Sequence, residues 1–171
     1  MFIKKVNYLY KFLIIFFLIL PINISRAEFF KDISNIITIN ESRLSYGVSV
    51  TDINSDGNNE FIVTGFGYPN LALSYIDGKL KNIIQEDIFL DRDRKTIGVA
   101  ACDIDKDGFE EIYFLNTDTY SGTKKYSDRL IDKNNNNFFD LFELKKNREN
   151  LNLTAGRSVV CVDRKGDGEY G

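Results

Sequence analysis

The chain has 171 residues, no more than one domain of ordinary size, and 25 acidic residues against 22 basic ones. That balance argues against nucleic acid, whose phosphates need Lys and Arg, and favours cations as partners. It contains no histidine, so no histidine-based catalytic triad can be built from it.

Lys4, Lys5 and Lys11 precede the apolar run Phe12 to Leu20, which Pro21 closes, and Ser25-Arg26-Ala27 supplies small residues for cleavage. Residues 1–27 read as a signal peptide, because the apolar run falls well short of the roughly 20 residues a spanning helix requires. The expected mature chain is secreted, periplasmic or extracellular, has no membrane span, and carries a net charge of about −7. Next comes "EFFKDISNIITI" from Glu28, read as a strand resembling the last of a blade.

From Tyr46, "YGVSVTDINSDGNNEFIVTGF" aligns without a gap with "IGVAACDIDKDGFEEIYFLNT" from Ile97, and "GRSVVCVDRKGDGEYG" opens a third copy at Gly156. The acidic loops begin at Asp52, Asp103 and Asp163, about 51 and 60 residues apart, lengths that suit propeller blades. The first period holds four short β-type segments: from Gly47, from Glu60, from Leu71, and from Lys79 after an Asp77-Gly78 turn. In the second, strands are expected from Glu111, Tyr126 and Asn137, with the run Asn134 to Asn137 in place of the Asp-Gly turn. The fold class is therefore all-β, a β-propeller of four-stranded blades: blade one about 45–85, blade two about 96–145 and the start of a third about 155–171 within residues 28–171. Two blades and part of a third cannot close a ring, so the sequence reads as a fragment of a longer chain.

The loops carry the chemistry. Calcium takes six to eight oxygens, and a tight loop supplies them from alternate positions. In the second loop Asp103, Asp105 and Asp107 stand at positions one, three and five, Gly108 allows the turn at six, the Phe109 carbonyl serves at seven and Glu111 at nine. In the first, Asp52, Asn54, Asp56, the Asn58 carbonyl and Glu60 do the same. An EF-hand would need a glutamate at position twelve, where Val63 and Phe114 stand within strand-like runs. A bare Asp-Gly hairpin would explain one aspartate, not the whole acidic set. In the third loop Lys165 replaces a ligand and position nine is Gly171, so it is not read as a metal site. Cys102 and Cys161 are expected on similar strand segments of successive repeats, either bridged or buried as small apolar residues.

"TGFGYPN" at Thr64 to Asn70 and the acidic loops resemble FG-GAP or VCBS repeats, the blades of integrin-α-like propellers. The runs "GVAACDIDKDGFEEIYFLNTDTYSGTKKYSDRL" and "AGRSVVCVDRKGDG" more narrowly resemble the N-terminal propeller of the cartilage acidic protein family, whose usual C-terminal module is ASPIC/UnbV. The resemblance implies an exported, calcium-binding module that contacts an extracellular protein or glycan and is not an enzyme. The alternative is the scaffold of an exported hydrolase or lyase whose catalytic part lies beyond Gly171.

Overall fold

The computed structural model describes residues 30–134 and 137–171. The expected signal peptide, and Asn135 and Asn136 of the asparagine run, lie outside them. Residues 30–33 carry no regular element, and Ser34–Gly171 forms one compact unit.

Two four-stranded antiparallel sheets make up this unit. The first has the order β1 (Val48–Thr51), β2 (Glu60–Val63), β3 (Leu71–Ile76), β4 (Lys79–Asn82). The second repeats it with β5 (Thr96–Cys102), β6 (Glu111–Asn116), β7 (Arg129–Asn134), β8 (Asn137–Asp140). Each strand pairs with its sequence neighbour, as short connections favour. The Asp77-Gly78 turn between β3 and β4 places both residues at positive φ, the condition of a two-residue hairpin.

Alternation along each strand sorts the side chains. In β2, Glu60 and Ile62 are buried while Phe61 is exposed. Ile53, Ile62, Ala72 and Ile84 from the first repeat pack with Val99, Ile112, Phe114 and Ile131 from the second into one apolar core between the sheets. Burying each isoleucine, valine or phenylalanine among them stabilises by about 1.5–3 kcal/mol. Phe89, on the one-turn helix α1 (Asp87–Leu90), meets Phe138 edge to face at 4.6 Å and closes the outer end of that core.

The inner strands approach closely at glycine. A Cβ on Gly47 would lie 3.0 Å from the Gly98 Cα, and one on Gly156 would lie 2.7 Å from Leu115. The repeated Gly thus marks a close approach between neighbouring repeats, a contact that a side chain would wedge apart.

Three expectations differ from the structure. The segment from Glu28 is not a strand in its described part: Ser34–Ile36 forms a 3-10 turn, and only Ile37 bridges to Leu80 beside β4. The strand from Asn137 ends at Asp140, whose carboxylate accepts the Phe142 amide and starts a 3-10 turn at Leu141–Glu143. That capping bond diverts the backbone from the ladder. The third repeat carries no strand; Val162 and Gly171 exchange two backbone hydrogen bonds of 3.2 Å around its loop. No helix among the described residues is long and apolar enough to cross a membrane.

Candidate metal centre

The first two acidic loops each link the first strand of a sheet to the second, and all three loops share one backbone. Position four is left-handed in every case, Ser55, Lys106 and Gly166, and so is position six, Gly57, Gly108 and Gly168, with φ from 64° to 93°. A left-handed residue every second step is costly for most side chains, which accounts for glycine at six.

The aspartates hold this shape. Asp103 accepts the amides of Asp107 and Gly108, each at 3.1 Å, and Asp52 accepts those of Asp56 and Gly57 at 3.0 and 2.8 Å. Position five accepts from position seven: Phe109 donates to Asp107 and Asn58 to Asp56, both at 2.8 Å. Position three accepts from position five, Asp107 to Asp105 at 3.1 Å and Asp56 to Asn54 at 2.9 Å. These are the aspartate and asparagine turns expected of such loops without any ion.

Position nine is different. Glu60 and Glu111 open β2 and β6, with side chains 0% and 2% exposed. One oxygen of each accepts the amide of position two, Ile53 at 3.2 Å and Ile104 at 2.7 Å. The other oxygen, Oε1 in both, is buried without a hydrogen-bond partner. A buried carboxylate oxygen left in that state is expensive, and the same defect occurs at the same place twice.

Burial pushes the Glu111 carboxyl up to about 7, and the charges of Asp105 and Asp132 add to the rise. Burial also raises Glu60, with Asp56 and Asp52 adding to it and the Ser74 hydroxyl and Ile53 amide opposing. Asp103, Asp105 and Glu111 each offer an oxygen within 4.8 Å of the others, about the span of ligands around one ion at 2.3–2.6 Å. Asp107 and Asp56 are exposed and cap their turns. The two loops lie at the same end of neighbouring sheets, across an open cleft of about 570 Å³ lined by Asp52, Ser55, Asp103 and Phe109.

Two charged residues at these loops escape a reading of the loop sequence alone. Lys133 on β7 donates to the Ser55 hydroxyl at 2.6 Å and the Ile53 carbonyl at 3.3 Å, and its ammonium sits 5.1 Å from the centre of the Phe109 ring. Asp132, also on β7, is half-buried, and its charge is one of those that raise Glu111. In the third loop a single carboxylate, Asp163, accepts four amides, from Lys165, Gly166, Asp167 and Gly168, and these hold it below the usual carboxylate range. Lys165 stands 3.9 Å from Asp167, an exposed pair.

Cys102 and Cys161 form a disulfide across 6.2 Å between Cα atoms, so of the two states open for these cysteines the bridge is the one found.

The FG-GAP-like repeat family matches residues 30–114, which takes in the whole first sheet and the second acidic loop. Cartilage acidic protein 1 of Xenopus tropicalis is 47% identical over 142 residues, and that of Homo sapiens 46%, in each case 77% of this chain. Residues 30–114 are an FG-GAP-like repeat domain, and 77% of the chain is homologous to cartilage acidic protein 1. It spans 22% of the length of those relatives. Neither their name nor that of the repeat denotes a catalytic activity.

Proposed function

We propose that this chain is an exported, calcium-binding set of β-propeller blades that contacts an extracellular protein or glycan. The observation that carries the calcium reading is the pair of orphaned buried oxygens, Glu60 Oε1 and Glu111 Oε1. A hard divalent cation accepts such oxygens and offsets the charge gathered around them. Asp52, Asn54, Asp56, the Asn58 carbonyl and Glu60 would hold one ion. Asp103, Asp105, Asp107, the Phe109 carbonyl and Glu111 would hold another. Bound there, calcium supplies charge neutralisation and fixes the turn between two strands.

Further observations support the rest of the reading. The disulfide suits an oxidising compartment, and so favours export. On the first sheet, the face turned away from the second exposes Val50, Phe61 and Tyr75, a patch that another blade would cover. Beyond the opposite strand ends, Tyr46, Phe66, Tyr120 and Arg157 line a cleft of about 420 Å³, the residue types that dominate binding surfaces.

The test is calcium titration by calorimetry, with thermal melts in calcium and in chelator. Saturable binding and a higher melting temperature in calcium are expected. No binding heat together with superimposable melts would overturn the reading.

A further inference from the structure

The two loops look alike along the sequence, but the sheets behind them differ. Ile112 pairs with Ile131 and Tyr113 with Leu130, so Glu111, one residue back on β6, falls opposite Asp132 on β7. Phe61 pairs with Leu73 and Ile62 with Ala72, so Glu60 falls opposite Ser74 on β3. Directly opposed residues share a face, with Cβ atoms about 4.5–5.5 Å apart. The second loop's buried glutamate therefore has a carboxylate as its cross-strand neighbour, and the first has a hydroxyl.

Other charges act in the same direction. The row through Glu60 and Ser74 continues to Lys81, whereas the row through Glu111 and Asp132 continues to Phe139. The Lys133 ammonium lies on the first loop, at Ser55 and Ile53. Position three is Asn54 in the first loop and Asp105 in the second. Two like charges facing each other across a ladder are destabilising without a counter-ion, and Glu111 already carries an unpartnered buried oxygen in a cluster of ligand spacing with Asp103 and Asp105.

We propose that Asp132 supplies an additional carboxylate to the second loop's cation site, so that the two loops bind calcium with unequal affinity, the second more tightly. This rests on the calcium reading above. Affinity at oxygen sites is tuned by ligand charge count, and the second site gains one carboxylate at Asp132 and another at Asp105 while the first keeps neutral groups at both places.

The experiment is calcium calorimetry on the full chain in two single-site backgrounds, Glu60→Gln to leave the second loop and Glu111→Gln to leave the first. Asp132→Asn, which removes the charge and keeps the shape, is added to each. In the Glu60→Gln background Asp132→Asn is expected to weaken binding about tenfold, and in the Glu111→Gln background to leave it unchanged. Asp132→Ser, the first sheet's own residue, should reproduce the loss, and melts in chelator should show every variant folded. An affinity of the second loop unchanged within twofold in both Asp132 variants overturns the role of Asp132 while calcium binding stands. Equal loss in both backgrounds overturns it too, since the effect would then be general. Absence of calcium binding in the parent chain defeats the underlying reading and this one together.

Discussion

Cys102 pairs in register with Glu111, so the disulfide to Cys161 is anchored beside the buried carboxylate of the second loop. The bridge closes a separation of 59 residues, for which loop-closure entropy gives a stabilisation of about 4 kcal/mol. Reduction, or Cys161→Ser, is expected to lower denaturant stability by up to that amount. It should also weaken calcium binding at the second loop more than at the first, as read by calorimetry on the reduced chain.

Glu111→Gln should act with opposite signs in the two states of the site. In chelator the amide removes an unpartnered buried charge, so stability at pH 8 should equal or exceed that of the parent. In saturating calcium the variant loses a ligand and should fall below the parent by about 1–3 kcal/mol. Urea unfolding with and without calcium checks both halves.

The pH dependence of the calcium-free chain follows from the same group. The Glu111 carboxyl is pushed from 4.5 up to about 7 by burial, so between these values the folded state holds its proton more tightly than the unfolded state. The stabilising contribution is complete below 4.5 and is lost as pH rises through about 7. Glu60 adds in the same direction. Asp56 and Asp163, lowered by hydrogen bonds, act oppositely only below about pH 4. Urea midpoints in chelator should therefore be higher at pH 5 than at pH 8, and calcium should reverse that order.

Lys124 and Asp128 form a fully buried ion pair in the connection between β6 and β7. Asp128 also accepts the Tyr113 hydroxyl at 2.7 Å and the Asn116 amide at 2.8 Å, and Lys124 donates to the Asn116 carbonyl at 2.8 Å. Lys124→Met leaves a buried carboxylate without its cation and should cost about 3 kcal/mol. Equilibrium unfolding measures this directly.

Lys133→Ala removes the tie from β7 to Ser55 and Ile53. The cost to global stability should stay within about 1 kcal/mol, because the Ser55 end is exposed. Amide exchange should accelerate more in residues 53–58, which lose two hydrogen bonds, than in the second loop, which loses only the contact with the Phe109 ring.

The strands were legible because their alternation and bounding turns are local: β2, β3, β6 and β7 begin within a few residues of where the apolar runs do. The loops were legible for the same reason, since spacing alone places Gly57 and Gly108 at the left-handed turn. Asp132 was not, because its neighbour Glu111 is fixed by strand register, and a connection longer in the second repeat than in the first hides its correspondence with Ser74. Lys133 escaped because its hydrogen-bond partners, Ser55 and Ile53, belong to the other repeat. The early end of β8 escaped because Asp140 is read as one more strand residue until its carboxylate is seen to cap Phe142 and to meet Arg129 at 3.0 Å.

The glycines of the inner strands and the rings of Phe89 and Phe138 together give the packed repeats a tapered profile. At Gly47 and Gly98 the backbones are separated by little more than hydrogen atoms, while farther out whole aromatic rings stand between them. Enlarging Gly47 or Gly98 would therefore force the two backbones apart at that point while the ring contact between Phe89 and Phe138 could persist, so the strain would open one end of the packing rather than shift any strand's register.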